Sequence, residues 1–498
     1  MTHSGDVLHD LQLLLRAGHG LLHLETREEE RAGAVLAHVA DALGVPLFTW
    51  TRSRGLARAD LDSAVYDTRA PEKALAHVVQ AGIDALYHFR GISLDTFRGD
   101  LVTALVRDAA DQMAGRVGAL VVTGPDLSLP ESLTPVATEV PLPSPSAEEL
   151  RVLVGQVVRD VSLRRQVEVS LSGDEMGELL RHLSGLTATE AKKVLTSAIV
   201  EDGLLSGDDI AHAVEAKRRI IEREGLLEYH PVEATLADIA DLTGFKTWLS
   251  QRTAVVRSPD RAAAAGLPFP RGVLLLGVPG CGKSLAAKAV AGEWRLPLLR
   301  LDPSGLYNKY IGESERNFKR AMRTAEAMAP VILWIDELEK AFAAGGTEDG
   351  GVSLRILGTF LSWLQERSGD AFVVATANDV QRLPPEFMRK GRFDEVFFVD
   401  LPDADTRGEI FRIHLTAREQ PAEAFALAEL AAASPGFSGS EIEQAVVSSL
   451  YGAFAEQRSL TAESLLEEIA RTKPLSVTMA EPIARLREWA VGRTVSAN

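Results

Sequence analysis

The densest chemistry in the chain lies in one eight-residue loop, Gly277-Val278-Pro279-Gly280-Cys281-Gly282-Lys283-Ser284. The spacing Gly-x-x-x-x-Gly-Lys-Ser is that of a backbone cradle for phosphate. Its glycines let loop amides approach an anion closely and adopt angles that side chains resist. Lys283 places a positive charge on the outer phosphates, and the Ser284 hydroxyl is a hard oxygen ligand for Mg²⁺. Leu285 opens a run of good helix formers, so the cradle ends on a helix N-terminus whose dipole also favours an anion.

Two further chain segments carry the groups such a cradle needs. Val331-Ile-Leu-Trp-Ile is a strand-sized apolar run that ends in Asp336-Glu337. Standing alone, the acid pair reads as a helix start. Downstream of a complete phosphate loop, Asp336 is a Mg²⁺ ligand through water and Glu337 a base for an attacking water. Phe372-Val-Val-Ala-Thr-Ala ends in Asn378, placed to orient that water or touch the terminal phosphate. As an isolated residue it would be a polar strand-end cap.

Apolar strands of about five residues alternating with helices predict an α/β fold, a mainly parallel sheet covered on both faces. The pattern occurs twice. His19-Gly-Leu-Leu-His-Leu-Glu25, Val45-Pro-Leu-Phe-Thr-Trp50, Ala119-Leu-Val-Val-Thr-Gly124, Val140-Pro-Leu-Pro143 and Leu183-Ser-Gly-Leu-Thr-Ala-Thr-Glu190 all have partners in the second half. Those partners are Arg271–Gly277, Leu296–Leu301, Phe372–Ala377, Val399–Pro402 and Ser434–Glu441, each about 250 residues later in the same order. This register predicts tandem modules, each a parallel sheet followed by a small helical lid. The expected division is a first module over 1–225 (sheet-bearing portion over 1–145, lid over 146–225) and a linker with a nucleotide-side segment over 226–241. An active domain over 242–404, its lid over 405–475 and a tail over 476–498 follow.

The first module lacks the chemistry of the second. Where the repeat places the phosphate loop it has Glu25-Thr-Arg-Glu-Glu-Glu-Arg31, four carboxylates and no glycine. The strand near Ala85-Leu-Tyr-His-Phe89 ends without an acid pair, and Leu129-Pro-Glu-Ser-Leu-Thr-Pro carries no arginine. A degenerate module serving as scaffold, docking surface or oligomerisation layer is expected.

These motifs, in this order, resemble the AAA+ ATPases and especially their classical branch, over about 235–475. The stretches Glu293–Asp302, Ala375–Asn378 and Leu383–Pro402 look most like the AAA ATPases of a hypothetical chloroplast reading frame, which share a long N-terminal half without a phosphate loop. The resemblance implies ATP and Mg²⁺ as cofactors, and self-association into a homo-oligomeric ring, usually a hexamer. It implies that Arg389 and Arg392, in Met-Arg389-Lys-Gly-Arg392, are arginine fingers for a neighbouring subunit. It also implies that Ile239 and Ala240 pack on adenine and that Gly439 and Ser440 are the lid turn at the nucleotide. Tyr310, Ile311 and Gly312 match a pore loop that grips a polypeptide, and 345–351 falls at a second pore loop. A surface loop and a core tyrosine at a helix start are the alternatives there.

Two uses of ATP follow as expectations: a ring that remodels a polypeptide client, or a slow nucleotide-controlled switch binding partners through the first module. The net charge of −17 argues against a nucleic-acid partner, which needs clustered Lys and Arg. With 46% hydrophobic and 25% charged residues, no apolar stretch of membrane-spanning length and no basic segment before an apolar core near Met1, a cytoplasmic globular protein is predicted. The single cysteine excludes an intrachain disulfide. As a thiol at a helix N-terminus, Cys281 is expected to have a lowered pKa and to react in the empty site.

Overall fold

The computed structural model describes residues 4–498 apart from 27, 62, 94–95, 97–99, 125–126, 128, 223–226, 233, 302–312, 342–351 and 368. Two compact units divide the chain, Met1–Val214 and Glu215–Asn498, the division falling within the helix Ile210–Glu222.

In the first unit, β1 (Leu21–Glu25), β2 (Leu47–Thr51), β3 (Gly55–Arg58), β4 (Leu86–Phe89), β5 (Ala119–Gly124) and β6 (Ala137–Glu139) form a sheet of order β3-β2-β4-β5-β1-β6. Every pairing is parallel except β2 with β3. The helices Ala147–Ser162, Gly173–Leu183 and Ala188–Asp202 follow, with a short parallel pair of β7 (Glu168–Ser170) and β8 (Leu204–Ser206).

The second unit has β9 (Leu227–His230), β10 (Gly272–Gly277), β11 (Leu298–Leu301), β12 (Val331–Ile335), β13 (Ala371–Ala377), β14 (Glu395–Val399) and β15 (Val495–Ser496). Their order is β15-β14-β10-β13-β12-β11-β9, with β9 alone antiparallel. Five strands thus share one topology in the two units: β2-β4-β5-β1-β6 matches β11-β12-β13-β10-β14. Both sheets also end in an antiparallel strand beside β2 or β11, though one is supplied from after that strand and the other from before β10.

Buried parallel strands explain the continuous apolar runs, because side chains alternate between two covered faces. Leu274, Leu333 and Val373 pack on one side of the second sheet with Phe318, Phe360 and Phe387. Val273, Leu275, Trp334 and Phe372 pack on the other with Phe245, Val290 and Trp294. Truncating any such leucine to alanine costs about 2–5 kcal/mol.

The lid helices begin with the same device in both units. Thr187 caps Ala188–Asp202 and Ser438 caps Gly439–Ala455, each reciprocated by the glutamate three residues on, Glu190 or Glu441. Two segments carry more structure than their sequence suggested. Within the stretch read as a linker, Leu227–His230 is an edge strand of the second sheet. The stretch read as a tail contains the helix Ala480–Ala490 and β15, which pairs with β14.

Candidate functional site

The loop 277–284 joins β10 to the helix Lys283–Trp294, whose packed face of Ala286, Ala287 and Val290 fixes the helix against the sheet. Two glycines are sterically required. Gly277 has φ 150°, and a Cβ there would collide with the Val399 carbonyl; at Gly280, φ 76°, it would lie 3.0 Å from the Ser438 hydroxyl. The Ser440 amide donates to the Gly280 carbonyl at 3.0 Å, which brings Gly439 and Ser440 of the lid onto the loop. Lys283 is buried, and its Nζ donates to the carbonyls of Gly277 (2.9 Å) and Val278 (2.7 Å). Burial pulls its pKa down to about 8. Among the described residues its hydrogen-bond partners are neutral carbonyls, so an entering phosphate would meet an ammonium with no competing ion pair.

The acids stand at the C-terminal ends of β12 and β13. Asp336 Oδ1 accepts from Ser284 Oγ at 2.9 Å and from Thr376 Oγ1 at 2.7 Å. The Thr376 hydroxyl also accepts the Glu337 amide at 3.0 Å. Glu337 has a left-handed backbone, φ 51°, a conformation non-glycine residues seldom hold without support. Its Oε1 accepts from Asn378 Nδ2 at 3.2 Å, and its Oε2 lies 2.6 Å from Lys340 Nζ. Asn378 is itself anchored, its amide donating to Glu339 Oε1 at 3.0 Å. Glu339 is only 3% exposed, and burial raises its pKa.

Lys283, Ser284, Asp336, Glu337, Thr376 and Asn378 line one cleft of about 650 Å³, which residues 238–242, Ile410, Ile413, His414 and Asn498 also line. Pro279, Cys281, Gly282 and Leu285 line its near end, and Ile239 and Ala240 its far end. A serine, an aspartate and a chain of hydroxyls are hard oxygen donors suited to Mg²⁺, which keeps several waters and phosphate oxygens rather than an all-protein cage.

Several expectations are corrected or left aside. Cys281 is not an activated thiol: burial beside Leu285 and the apolar face of the sheet pushes its pKa up to about 12, overriding Lys283 and the Gly439 amide. Arg389 and Arg392 do not line the cleft of their own chain. Arg389 is exposed, while Arg392 is half-buried and donates to the Glu386 carbonyl. Tyr310, Ile311 and Gly312, and the loop 345–351, lie outside the described residues.

Sequence reasoning missed Thr376, Glu339, Asp400 and Asn498. Thr376 had a signal, since Thr123 occupies the same place in the repeat. Asp400 lines the cleft and is held by a bidentate pair with Arg487 at 2.8–2.9 Å. That pairing of residues far apart in the chain has no local signature.

The equivalent corner of the first unit is closed. Thr123 Oγ1 there donates to Glu29 Oε1 (3.2 Å), which also accepts the Gly91 amide (2.6 Å). Glu28 Oε1 accepts the amide of Ala188, the first residue of the lid helix, at 2.6 Å. Arg31 binds Glu28 (3.1 Å), Glu149 (3.2 Å) and the Pro143 carbonyl (2.5 Å). Carboxylates of the chain therefore satisfy the amides and charges that a phosphate would need.

Residues 273–401 match the ATPase family associated with various cellular activities (AAA). Residues 7–142 and 148–224 match the N-terminal and second domains of SpoVK-like AAA ATPases. The AAA domain-containing protein ycf46 of Pyropia yezoensis is 34% identical over 486 residues, 97% of each chain. That of Guillardia theta is 33% identical over 97% of this chain and 94% of its own. The cell division cycle protein 48 homolog of Archaeoglobus fulgidus is 32% identical over 258 residues, 51% of this chain and 35% of its own. The chain belongs to the AAA ATPase family, in the group formed with the AAA domain-containing ycf46 proteins.

Proposed function

We propose that the second module is a Mg²⁺-dependent ATPase that works in a homo-oligomeric ring, a hexamer by resemblance, and remodels a polypeptide client. One observation carries the enzymatic part. Lys283, Ser284, Asp336, Glu337 and Asn378, drawn from three chain segments, converge on one cleft that the lid meets at Ser440. Loop amides and Lys283 would hold the phosphates, and Ser284 with Asp336 would hold the metal ion. Bound there, Mg²⁺ would neutralise charge on the transferring group. Glu337 would take a proton from the attacking water as its oxygen bonds to the terminal phosphorus, with ADP leaving. Asn378, fixed by Glu339, would hold that carboxylate in position.

Arg389 and Arg392 are proposed as fingers in trans, consistent with their absence from their own cleft. A guanidinium suits the charge on a transferring phosphoryl group. Phosphate release and sedimentation of the full chain test this reading. Arg389→Ala and Lys283→Ala should each be inactive alone, whereas a mixture should regain turnover from sites that combine an intact cradle with an intact finger. If the mixture stays inactive while assembling normally, fingers in trans are refuted.

The client and the pore role of Tyr310 rest on the resemblance alone. A slower switch that binds partners through the first module has one observation in its favour. The pair Lys340–Glu337 at 2.6 Å holds the base against a lysine rather than a water. Lys340→Ala should then speed turnover; an unchanged rate would remove the support for a built-in brake. A cytoplasmic location is part of the proposal, and no described helix is long and apolar enough to cross a membrane.

A further inference from the structure

The cleft has a phosphate end, set by Lys283 and the loop amides, so its far end must receive the base. Ile239, Ile410 and Ile413 supply apolar lining away from the loop, and among the polar side chains there (Asp238, Asp241, His414, Glu443, Asn498) two are joined to one another, Asp241 and Asn498. Asn498 Nδ2 donates to Asp241 Oδ2 at 2.6 Å. The residues before Asn498 are firmly held. Ala497 is fully buried; its N–H donates to the Phe398 carbonyl at 2.9 Å and its carbonyl accepts the Phe245 amide at 3.1 Å. Gly244 is pressed against the same strand, since a Cβ there would lie 2.7 Å from the Ser496 carbonyl. Arg487, on the helix Ala480–Ala490 that leads into this strand, grips Asp400 at the edge of the cleft.

An amide has a donor and an acceptor on one plane, and adenine presents a complementary donor and ring-nitrogen acceptor side by side. A 6-oxopurine places an acceptor where adenine has its amino group. A free amide could accommodate either base by rotating through half a turn. Asn498 is not free: a carboxylate only accepts, so Asp241 requires the nitrogen of the amide to face it. Rotation would exchange that hydrogen bond for repulsion between the amide oxygen and the carboxylate.

We propose that Asn498, oriented by Asp241, reads the base and makes the cleft select adenine over 6-oxopurines. This rests on the cleft being an ATP site and adds to it a residue two positions beyond β15. A side chain nearly 500 residues along would then contribute to recognition, while 476–498 reads in the sequence as a tail.

The test is competition of ATP and ITP against a fluorescent ADP on the full chain. ITP differs from ATP at the purine 6-position, where an oxygen replaces the amino group. Wild type should prefer ATP by about tenfold or more. Asn498→Ala should lower ATP affinity about tenfold and leave ITP unchanged, collapsing the preference. Asp241→Asn should let the Asn498 amide rotate, raising ITP affinity relative to ATP, which loss of structure would not do. The unfolding midpoint of each variant without nucleotide verifies folding. If folded Asn498→Ala keeps the wild-type ATP-to-ITP ratio, or if wild type shows no preference, the proposal is overturned while the ATP site stands. Failure of wild type to bind either nucleotide would instead overturn the reading of the cleft.

Discussion

The same corner of the same topology is built twice in this chain with opposite polarity. At the end of β13, the Thr376 hydroxyl donates to an acid that comes from the neighbouring strand, Asp336, which the cradle helix meets with Ser284. At the end of β5, the Thr123 hydroxyl donates to an acid from the helix that follows β1 (Glu29–Leu43), Glu29, and the segment just after β4 offers the amide of Gly91. The lid helix follows the same inversion. In the second module the lid amide of Ser440 binds a loop carbonyl beside an open cleft. In the first, the lid amide of Ala188 binds the side chain of Glu28 directly. A corner with its cation and acids on facing elements is incomplete without a phosphate and a metal ion. One that supplies its own carboxylates to the helix and lid is complete already. What the second module obtains on binding a ligand, the first has by folding.

The sharpest way to break this comparison is at the two cradle helices. Lys283→Ala should reduce ATP turnover about a thousandfold and abolish stabilisation by ATP, measured by phosphate release and thermal unfolding. Glu29→Ala should leave both unchanged. If Glu29→Ala instead removed nucleotide-dependent stabilisation, the first corner would be a working site and the inversion would mean nothing.

Arg31 is the next lever. It is 12% exposed and Glu28 9%, so removing the guanidinium strands a mostly buried carboxylate, at a cost of about 3 kcal/mol. Urea unfolding of Arg31→Ala should show that loss in the first module, with ATP affinity of the second unchanged. The double variant Arg31→Met with Glu28→Leu should recover most of it, because an apolar pair of similar size has no charge to desolvate. Full loss in the double variant would show that the Ala188 amide depends on Glu28 more than the charges do.

The two threonines sharpen the comparison further. Thr376→Val removes two hydrogen bonds at once, one to Asp336 and one from the Glu337 amide, so the left-handed turn at Glu337 loses its support. Turnover should fall roughly tenfold to a hundredfold, with ATP affinity nearly intact. Thr123→Val should cost stability alone, about 1 kcal/mol. Equal effects of the two changes on turnover would contradict their assignment to different tasks.

How much of this was legible beforehand depended on whether the physics was local. The central parallel strands of both sheets, the loop 277–284 and the acid pair were readable, because apolar periodicity and glycine spacing act over a few residues. The tandem topology followed from the register of five segments. Hidden from view was whatever long-range closure decides: β9 and β15 at opposite edges of one sheet, Arg487 on Asp400, Asn498 on Asp241. Cys281 was misread for the same reason. A helix N-terminus is visible in sequence, whereas the packing that buries the thiol is not, and burial wins. Glu25–Arg31 was readable as a missing phosphate loop but not as a filled one, since that needs Gly91, Pro143, Glu149 and Ala188.

A further predicted effect concerns acid. His88 lies in β4 beneath the closed corner, fully buried, with Nε2 2.9 Å from Thr123 Oγ1. Burial, with Arg90 adding to it, depresses its pKa to about 3. The unfolded chain takes up a proton near pH 6.5 that the folded chain refuses. Stability from this group is therefore complete above pH 6.5 and falls by about 1.4 kcal/mol per pH unit between 6.5 and 3. Burial raises the pKa of Glu28, so that residue acts in the opposite sense: the folded state binds its proton more readily, which offsets some of the loss as pH falls toward 4.5. Between pH 6.5 and 5.5 the histidine should dominate. Urea midpoints of the first module should drop over that interval in wild type and stay flatter in His88→Gln. The second module has Leu333 and Trp334, not a histidine, in its corresponding strand; its own histidines lowered by burial, His230 and His414, are less buried than His88, so its slope should be shallower. An identical slope in both modules would place the acid sensitivity elsewhere.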